Sequence, residues 1–275
     1  LIKCSNVYVD DTGREIVSPM EYETICLLGT NCGLEDPDDV ARMNEIANDL
    51  GVDSIELGAT IAVLMDAGKG GFGDVSFMKE VTSAMMAGSE IGKFYASGTA
   101  RVGETLNFKR VPVIKKQAIS AYDPRLIEVT GISMMVSAQG ADHTVGNNAT
   151  FKCDDKNIEE LVAESLRMQI NAAVADSLGL CVFGRSVTDE NLELISNAIN
   201  DAFDAGVTPD FIRNIGLETL RLEAAFNNAA GFDEEDDELP SFFLDEPLPP
   251  TDKIARLRSS EVNAAMQNLL DAHSV

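Results

Sequence analysis

Between residues 156 and 178 the apolar side chains Ile158, Leu161, Val162, Leu166, Ile170, Ala173 and Val174 recur at i, i+3 and i+4, and Gly179 ends the run. That period puts them on one face of an amphipathic helix, with the glycine as a left-handed stop. The same grammar repeats along the chain and constrains its fold more than any other feature. In "EDPDDVARMNEIANDLG", Asp36 is the expected N-cap, Pro37 the first helical residue, and acids fill the first turn. Val40, Met43, Ala47 and Leu50 mark the apolar face, and Gly51 is the stop. "SIELGATIAVLMDAG" is apolar nearly all round, so a buried helix is expected. "FMKEVTSAMMAGSEIGKFYASG" predicts one or two short helices broken at Gly88.

Further on, Ser186 and Thr188 are candidate caps for a helix striped by Leu192, Ile195, Ile199 and Phe203 and closed by Gly206. Thr208-Pro209 opens another, running to about Gly231, and residues 259–272 predict a last one. Residues 107–126 interrupt this pattern with clustered basic residues, two prolines and no helical period. A boundary is expected there, giving helical domains over 1–112 and 113–275. Three stretches predict non-helical chain: the glycine-rich "SMMVSAQGADHTVGNNATF", the acidic "DEEDDE" as a solvated loop, and the extended "LPSFFLDEPLPPTD". No alternating strand pattern exceeds "NVYVDD". The expected class is all-α, multihelical, in two domains.

Composition narrows the function. With 46 acidic against 21 basic residues the net charge is −25, which repels a phosphate backbone and argues against nucleic-acid binding. No apolar run reaches the ~18–20 residues that span a bilayer. No signal peptide is visible either, so a cytoplasmic protein is expected. Five cysteines, an odd number, are scattered over 275 residues, which fits reduced thiols, buried or metal-bound, better than a disulfide framework. The chain opens at Leu1 and reads as a portion of something longer.

Two short stretches share one pattern. "NDLGVD", 48–53, and "DSLGLC", 176–181, each place an amide or acid one turn before a glycine, then an aliphatic residue, then an acid or thiol. A left-handed glycine there exposes the last helical carbonyls, while a carboxylate one turn earlier can accept two N–H bonds from an amino-pyrimidine ring. Helices also commonly end in Leu-Gly, so a structural use stays open for each copy. Cys181, like Cys26, Cys32 and Cys153, is by itself as readable as a buried small residue as it is as a ligand. Cys4 in the polar "LIKCSN" is harder to explain as core. His143 in "QGADHTVGN" lies among small and polar residues, and histidine is the residue type most often used for proton transfer. Glu21 and Glu23 in "PMEYET" fit either acid–base work or a first-turn charge preference.

At these residues the sequence resembles the aldehyde:ferredoxin oxidoreductase family of tungsten–pterin enzymes. The segments run in order: "EYETICLLGTNCGLEDPDDVARMNEIANDLGVDSIELGATIA", "AYDPR", "GADHT", "DSLGLC" and "LPSFFLDEPLPP". They cover the family's helical second and third domains, without its β-rich first domain. The resemblance implies two helical domains facing a shared cofactor cavity, with two pterins sandwiching one tungsten (molybdenum in some members). It implies that Asp176, Gly179 and Leu180 contact one pterin, and Asn48, Gly51 and Asp53 the other; Asn48 stands where an acid is usual. Cys181 would be the last ligand of a [4Fe–4S] cluster and Cys4 the third cysteine of a C-x-x-C-x-x-x-C run, thiolates being the usual cluster ligands. Glu23 and His143 match the family's active-site acid and histidine.

The implied reaction is oxidation of an aldehyde to a carboxylic acid, with electrons passed to ferredoxin or another electron-transfer subunit. Reduction of a carboxylic acid or an aromatic acyl-CoA by the same machinery, and a cofactor-free helical interaction module, are the alternatives. This portion alone is expected to be inactive, and homo- and hetero-oligomers are both compatible with it.

Overall fold

The computed structural model describes residues 6–272; Cys4 and His273 lie outside them. It is 59% helix and 4% strand, so the expected all-helical class holds. The chain forms two compact units: one runs to Ala121 and includes Pro240–Phe242, and the other comprises Tyr122–Leu239 and Phe243 onward.

The first unit starts with an antiparallel hairpin, Tyr8–Val9 against Glu15–Val17. A helical turn at Tyr22–Thr24 continues as a π segment, Ile25–Gly29. Helices follow at Pro37–Leu50, Ser54–Asp66, Val75–Met86, Glu90–Tyr95 and Thr99–Leu106. Asp36 caps the first of these by accepting the Asp38 N–H, Pro37 opens it, and Gly51 closes it at φ 69°. Leu28, Met43, Ile61, Leu64 and Met78 fill the core. Gly58 lets the helix Ser54–Asp66 lie against the π segment: a Cβ there would meet the Leu27 carbonyl at 2.5 Å.

Glu56 ties this unit together. One carboxylate oxygen accepts the Thr99 N–H at 2.6 Å and the other the Ala118 N–H at 3.0 Å. Ala118 belongs to a small hairpin, Val113–Ile114 with Gln117–Ala118, which sequence patterning does not predict. Its turn residues, Lys115 and Lys116, both have positive φ (49° and 66°), where Asn-Gly is the usual signal.

The second unit is built around the helix Ile158–Ser177, whose N-terminus carries a complete capping box from Asn157 and Glu160. It packs against Glu128–Val136, Pro209–Ala230 and Ser259–Ala272. At Gly216 the Pro209–Ala230 helix crosses so closely that a Cβ would sit 2.5 Å from the Ile170 carbonyl. The core includes Val129, Ile132, Met134, Met135, Leu161, Val162 and Ile212. The Ser133 and Ser165 hydroxyls meet at 2.8 Å inside it, and Gln169 donates to Ser165 at 3.0 Å. Arg256 grips the carboxylate of Glu128 through two bonds of 2.6 and 2.8 Å.

Several local expectations need correction. The glycine-rich loop begins only after Val136, because "SMMV" is the last turn of a buried helix, Glu128–Val136, whose apolar surface on every side hides its period. Ser186 and Thr188 fall inside a short helix, Arg185–Thr188; Asn191 holds the N-cap position of Leu192–Phe203 without a side-chain capping bond, and Asp204, not Gly206, takes the left-handed position at its end. Phe203 is 78% exposed, so that helix buries only part of its stripe. The "DEEDDE" stretch is a 3₁₀ turn with structural work: buried Asp237 accepts from Asn263, and Glu238 accepts the Ser259 N–H and hydroxyl. "LPSFFLDEPLPPTD" contains a helical turn, Ser241–Asp245.

Candidate functional site

In the first unit the turn after Leu50 is a left-handed glycine stop. Gly51 donates to the Asn48 carbonyl and Val52 to the Ala47 carbonyl, each at 3.1 Å. Asn48, Gly51 and Asp53 are all exposed. Asp53 also has a structural task, since its carboxylate accepts the Glu56 N–H at 3.0 Å and caps the next helix.

The hydroxyls of Thr24 and Ser54 meet at 2.8 Å, joining the helical turn that carries Glu23 to the residue after Asp53. Glu23 is half-buried, and its Oε2 accepts the Ala121 N–H at 2.8 Å. The Tyr22 hydroxyl donates to the Ala121 carbonyl at 3.1 Å. The first motif and the candidate acid therefore belong to one small neighbourhood.

The second unit repeats the arrangement at its own helix end. Gly179 has φ 66°, its N–H donates to the Asp176 carbonyl at 3.1 Å, and Leu180 donates to the Ala175 carbonyl at 2.7 Å. Beyond it Cys181 is extended and exposed, then a 3₁₀ turn, Val182–Gly184, leads to Arg185. An open pocket of about 210 Å³ lies at this turn. Ala172, Ala175 and Val182 form its apolar wall; Asp176, Asn171, Thr144, Arg185 and Asp189 supply the polar groups.

Asp176 thus shares one pocket with the chain neighbours of both His143 and Cys181. The His143 ring is half-buried and stacks on Tyr122 with centroids 5.5 Å apart. Asp142 holds the same loop by accepting the Thr144 N–H and hydroxyl, both at 2.7 Å. Partial desolvation, and then the charges of Asp142 and Asp176, push the Glu223 carboxyl above its ordinary range.

The cysteines separate clearly. Cys32 is fully buried, its thiol donates to the carbonyls of Leu27 and Gly58, and burial pushes it up to about 12. Cys153 is buried with its thiol on the Phe151 carbonyl, and burial raises the thiol of half-buried Cys26. Cys181 is the exposed cysteine among the described residues, so the buried-core use open to it from sequence does not hold. No three His, Cys, Asp or Glu side chains converge on an ion-sized site among the described residues. No helix among them is long and apolar enough to cross a membrane.

Sequence patterning misses Asn171, Arg185 and Asp189. Asn171 and Ala175, like Ala172 and Asp176, are i, i+4 pairs, so helical spacing sets them on the same face as Asp176. Arg185 and Asp189 follow an irregular turn and carry no local signal.

Residues 1–272 match the family described as aldehyde ferredoxin oxidoreductase, domains 2 and 3. The chain belongs to that family. It is 28% identical over 257 residues to the tungsten-containing aldehyde ferredoxin oxidoreductase of Pyrococcus horikoshii, covering 83% of this chain and 42% of that protein. The corresponding protein of Pyrococcus furiosus is 27% identical over 274 residues, covering 90% of this chain and 44% of the relative. An aliphatic sulfonate oxidoreductase, WOR-like subunit, of Pyrococcus furiosus is 26% identical over 257 residues. The chain spans less than half the length of each of these relatives.

Proposed function

We propose that these residues are the helical part of an oxidoreductase carrying a tungsten or molybdenum bis-pterin and a [4Fe–4S] cluster. It oxidises an aldehyde to a carboxylic acid and passes the electrons to ferredoxin or another electron-transfer protein. The observation that carries this reading is the open pocket at Asp176, directly before the exposed Cys181. Its donor set fits the group: a carboxylate for the amino edge of a pterin, amide and guanidinium donors in the same lining, and small alanines that leave room for a flat ring. Cys181 fits a cluster ligand in exposure and in its place after the turn, whereas Cys32 is spoken for by two carbonyls.

When bound, the metal–pterin group supplies two-electron chemistry and the cluster one-electron transfer. The protein's share is to bind, orient and move protons. Asp176 accepts N–H groups of one pterin beside the Gly179–Leu180 turn; Asn48, Gly51 and Asp53 do the same for the other. Glu23, its Oε2 fixed by the Ala121 amide, takes a proton from water or an aldehyde hydrate. His143, its ring fixed on Tyr122, hydrogen-bonds the substrate oxygen or relays a proton.

Use of the same residues on another substrate class is a second reading, supported by the aliphatic sulfonate oxidoreductase subunit at 26% identity, beside 27% for an aldehyde ferredoxin oxidoreductase. The deciding experiment assays the full-length protein for tungsten, molybdenum, iron and aldehyde-dependent reduction of a viologen dye. Metal with aldehyde activity is expected; a metal-free, pterin-free protein would overturn the proposal.

A further inference from the structure

The pocket beside Asp176 is built for one ring system. At about 210 Å³ it is smaller than the ~300–1,000 Å³ that houses a drug-sized ligand, so it takes a fused bicyclic head and not a whole dinucleotide-sized cofactor. Its walls differ in kind. Ala172 and Ala175 of the helix Ile158–Ser177, together with Val182, give it its apolar lining. Asp176 is an acceptor only, and Arg185 a donor only. Asn171 can do either.

Arg185 is also held in place: its Nη1 donates to the Asn147 carbonyl at 3.1 Å, which orients the planar fork and leaves further N–H groups to give. A ring that suits such a pocket presents two adjacent N–H donors on one side and an exocyclic oxygen on the next. A 2-amino-4-oxo-pteridine has that edge, with its amino group and ring N–H beside its carbonyl oxygen.

Building on the pterin reading above, we propose that Arg185 is a further cofactor-binding residue, donating to the oxo group of the pterin whose amino edge Asp176 accepts, with Asn171 completing the edge. The guanidinium also brings a positive charge to a pocket whose lining includes the carboxylates of Asp176 and Asp189. Losing a hydrogen bond to a charged donor costs about 1.5–3 kcal/mol, or roughly tenfold to a hundredfold in residence time.

The test uses the full-length protein and follows release of its pterin in mild urea, read by the fluorescence of the oxidised pterin. Arg185→Ala and Arg185→Gln are compared with the wild type; Arg185→Gln keeps the apolar stem and a neutral N–H donor while removing the charge, so a folding defect in Arg185→Ala does not void the experiment. Both are expected to shorten the release half-life about tenfold or more. They should leave iron content and melting temperature near those of the wild type. Wild-type release from both variants, while Asp176→Asn accelerates it, would overturn the role of Arg185 and leave the pterin reading intact. A wild type that holds no pterin would overturn both.

Discussion

Glu23 and Ala121 are 98 positions apart in the chain, yet the Glu23 carboxylate accepts the Ala121 N–H at 2.8 Å. The bond fixes one oxygen of a carboxylate proposed to move a proton. Tyr22 holds the carbonyl of the same residue, so Ala121 is the point at which this acid is anchored. The next residue, Tyr122, stacks on His143. Positioned acid–base groups contribute about 10²–10⁴ in rate. In the full-length protein, Glu23→Gln and His143→Ala are each expected to lower aldehyde turnover by about that range with metal and iron content unchanged. Steady-state kinetics alongside metal analysis checks this, and turnover at the wild-type level would remove both residues from the chemistry.

Exposure orders the thiols. At pH 8 an alkylating reagent should modify Cys181 of cluster-free protein quickly and Cys32 negligibly, since burial holds Cys32 near 12 and the reactive form is the thiolate. Peptide mass spectrometry over time reads the order directly. With the cluster in place Cys181 should become protected, while Cys32 does not change.

The helical regions were legible because local chemistry and tertiary structure agree. Asp36, Pro37 and Gly51 mark their helix by capping physics alone, and so do Thr208, Pro209 and Gly231. Prediction from pattern fails where burial removes the polar face, as in Glu128–Val136, or where a turn uses residues that sterics disfavour, as at Lys115–Lys116. The 233–238 acids looked solvated because no sequence signal shows that Asn263 and Ser259 lie opposite them. Asp176 and Cys181 stood out by spacing, but the pocket itself needed Arg185 and Asn171, which carry no such signal.

Glu223 should report the local charge through pH. Its folded pKa is raised, first by partial desolvation of a side chain that is otherwise exposed and then by Asp142 and Asp176. The neutral form is thus favoured on folding: its stabilising contribution is complete below the ordinary value of 4.5 and is lost as pH rises through the raised folded value. Glu223→Gln, which cannot ionise, should therefore melt higher than wild type at pH 7 and close to it at pH 4. Equal differences at both pH values would show that the carboxyl does not sense those neighbours.

Two packing contacts give clean stability tests. Gly216→Ala forces a methyl onto the Ile170 carbonyl and should cost about 1–3 kcal/mol by overpacking. Glu128→Ala strips the half-exposed Arg256 of a two-bond partner and should cost about 2–3 kcal/mol. Urea unfolding monitored by far-UV circular dichroism measures both, and losses under about 0.5 kcal/mol would put these contacts outside the second unit's folding core.

The exposed thiol after the Asp176 turn remains the most direct point of attack on the proposed chemistry. Iron and pterin should be quantified in the full-length protein and in Cys181→Ala, with the melting temperature recorded for each. A wild type with a full [4Fe–4S] complement, and a folded variant that has lost most of its iron while keeping pterin, is the expected pair. A folded Cys181→Ala protein with undiminished iron would mean that Cys181 is not a cluster ligand, and the reading of "DSLGLC" as the junction of pterin and cluster would fall with it.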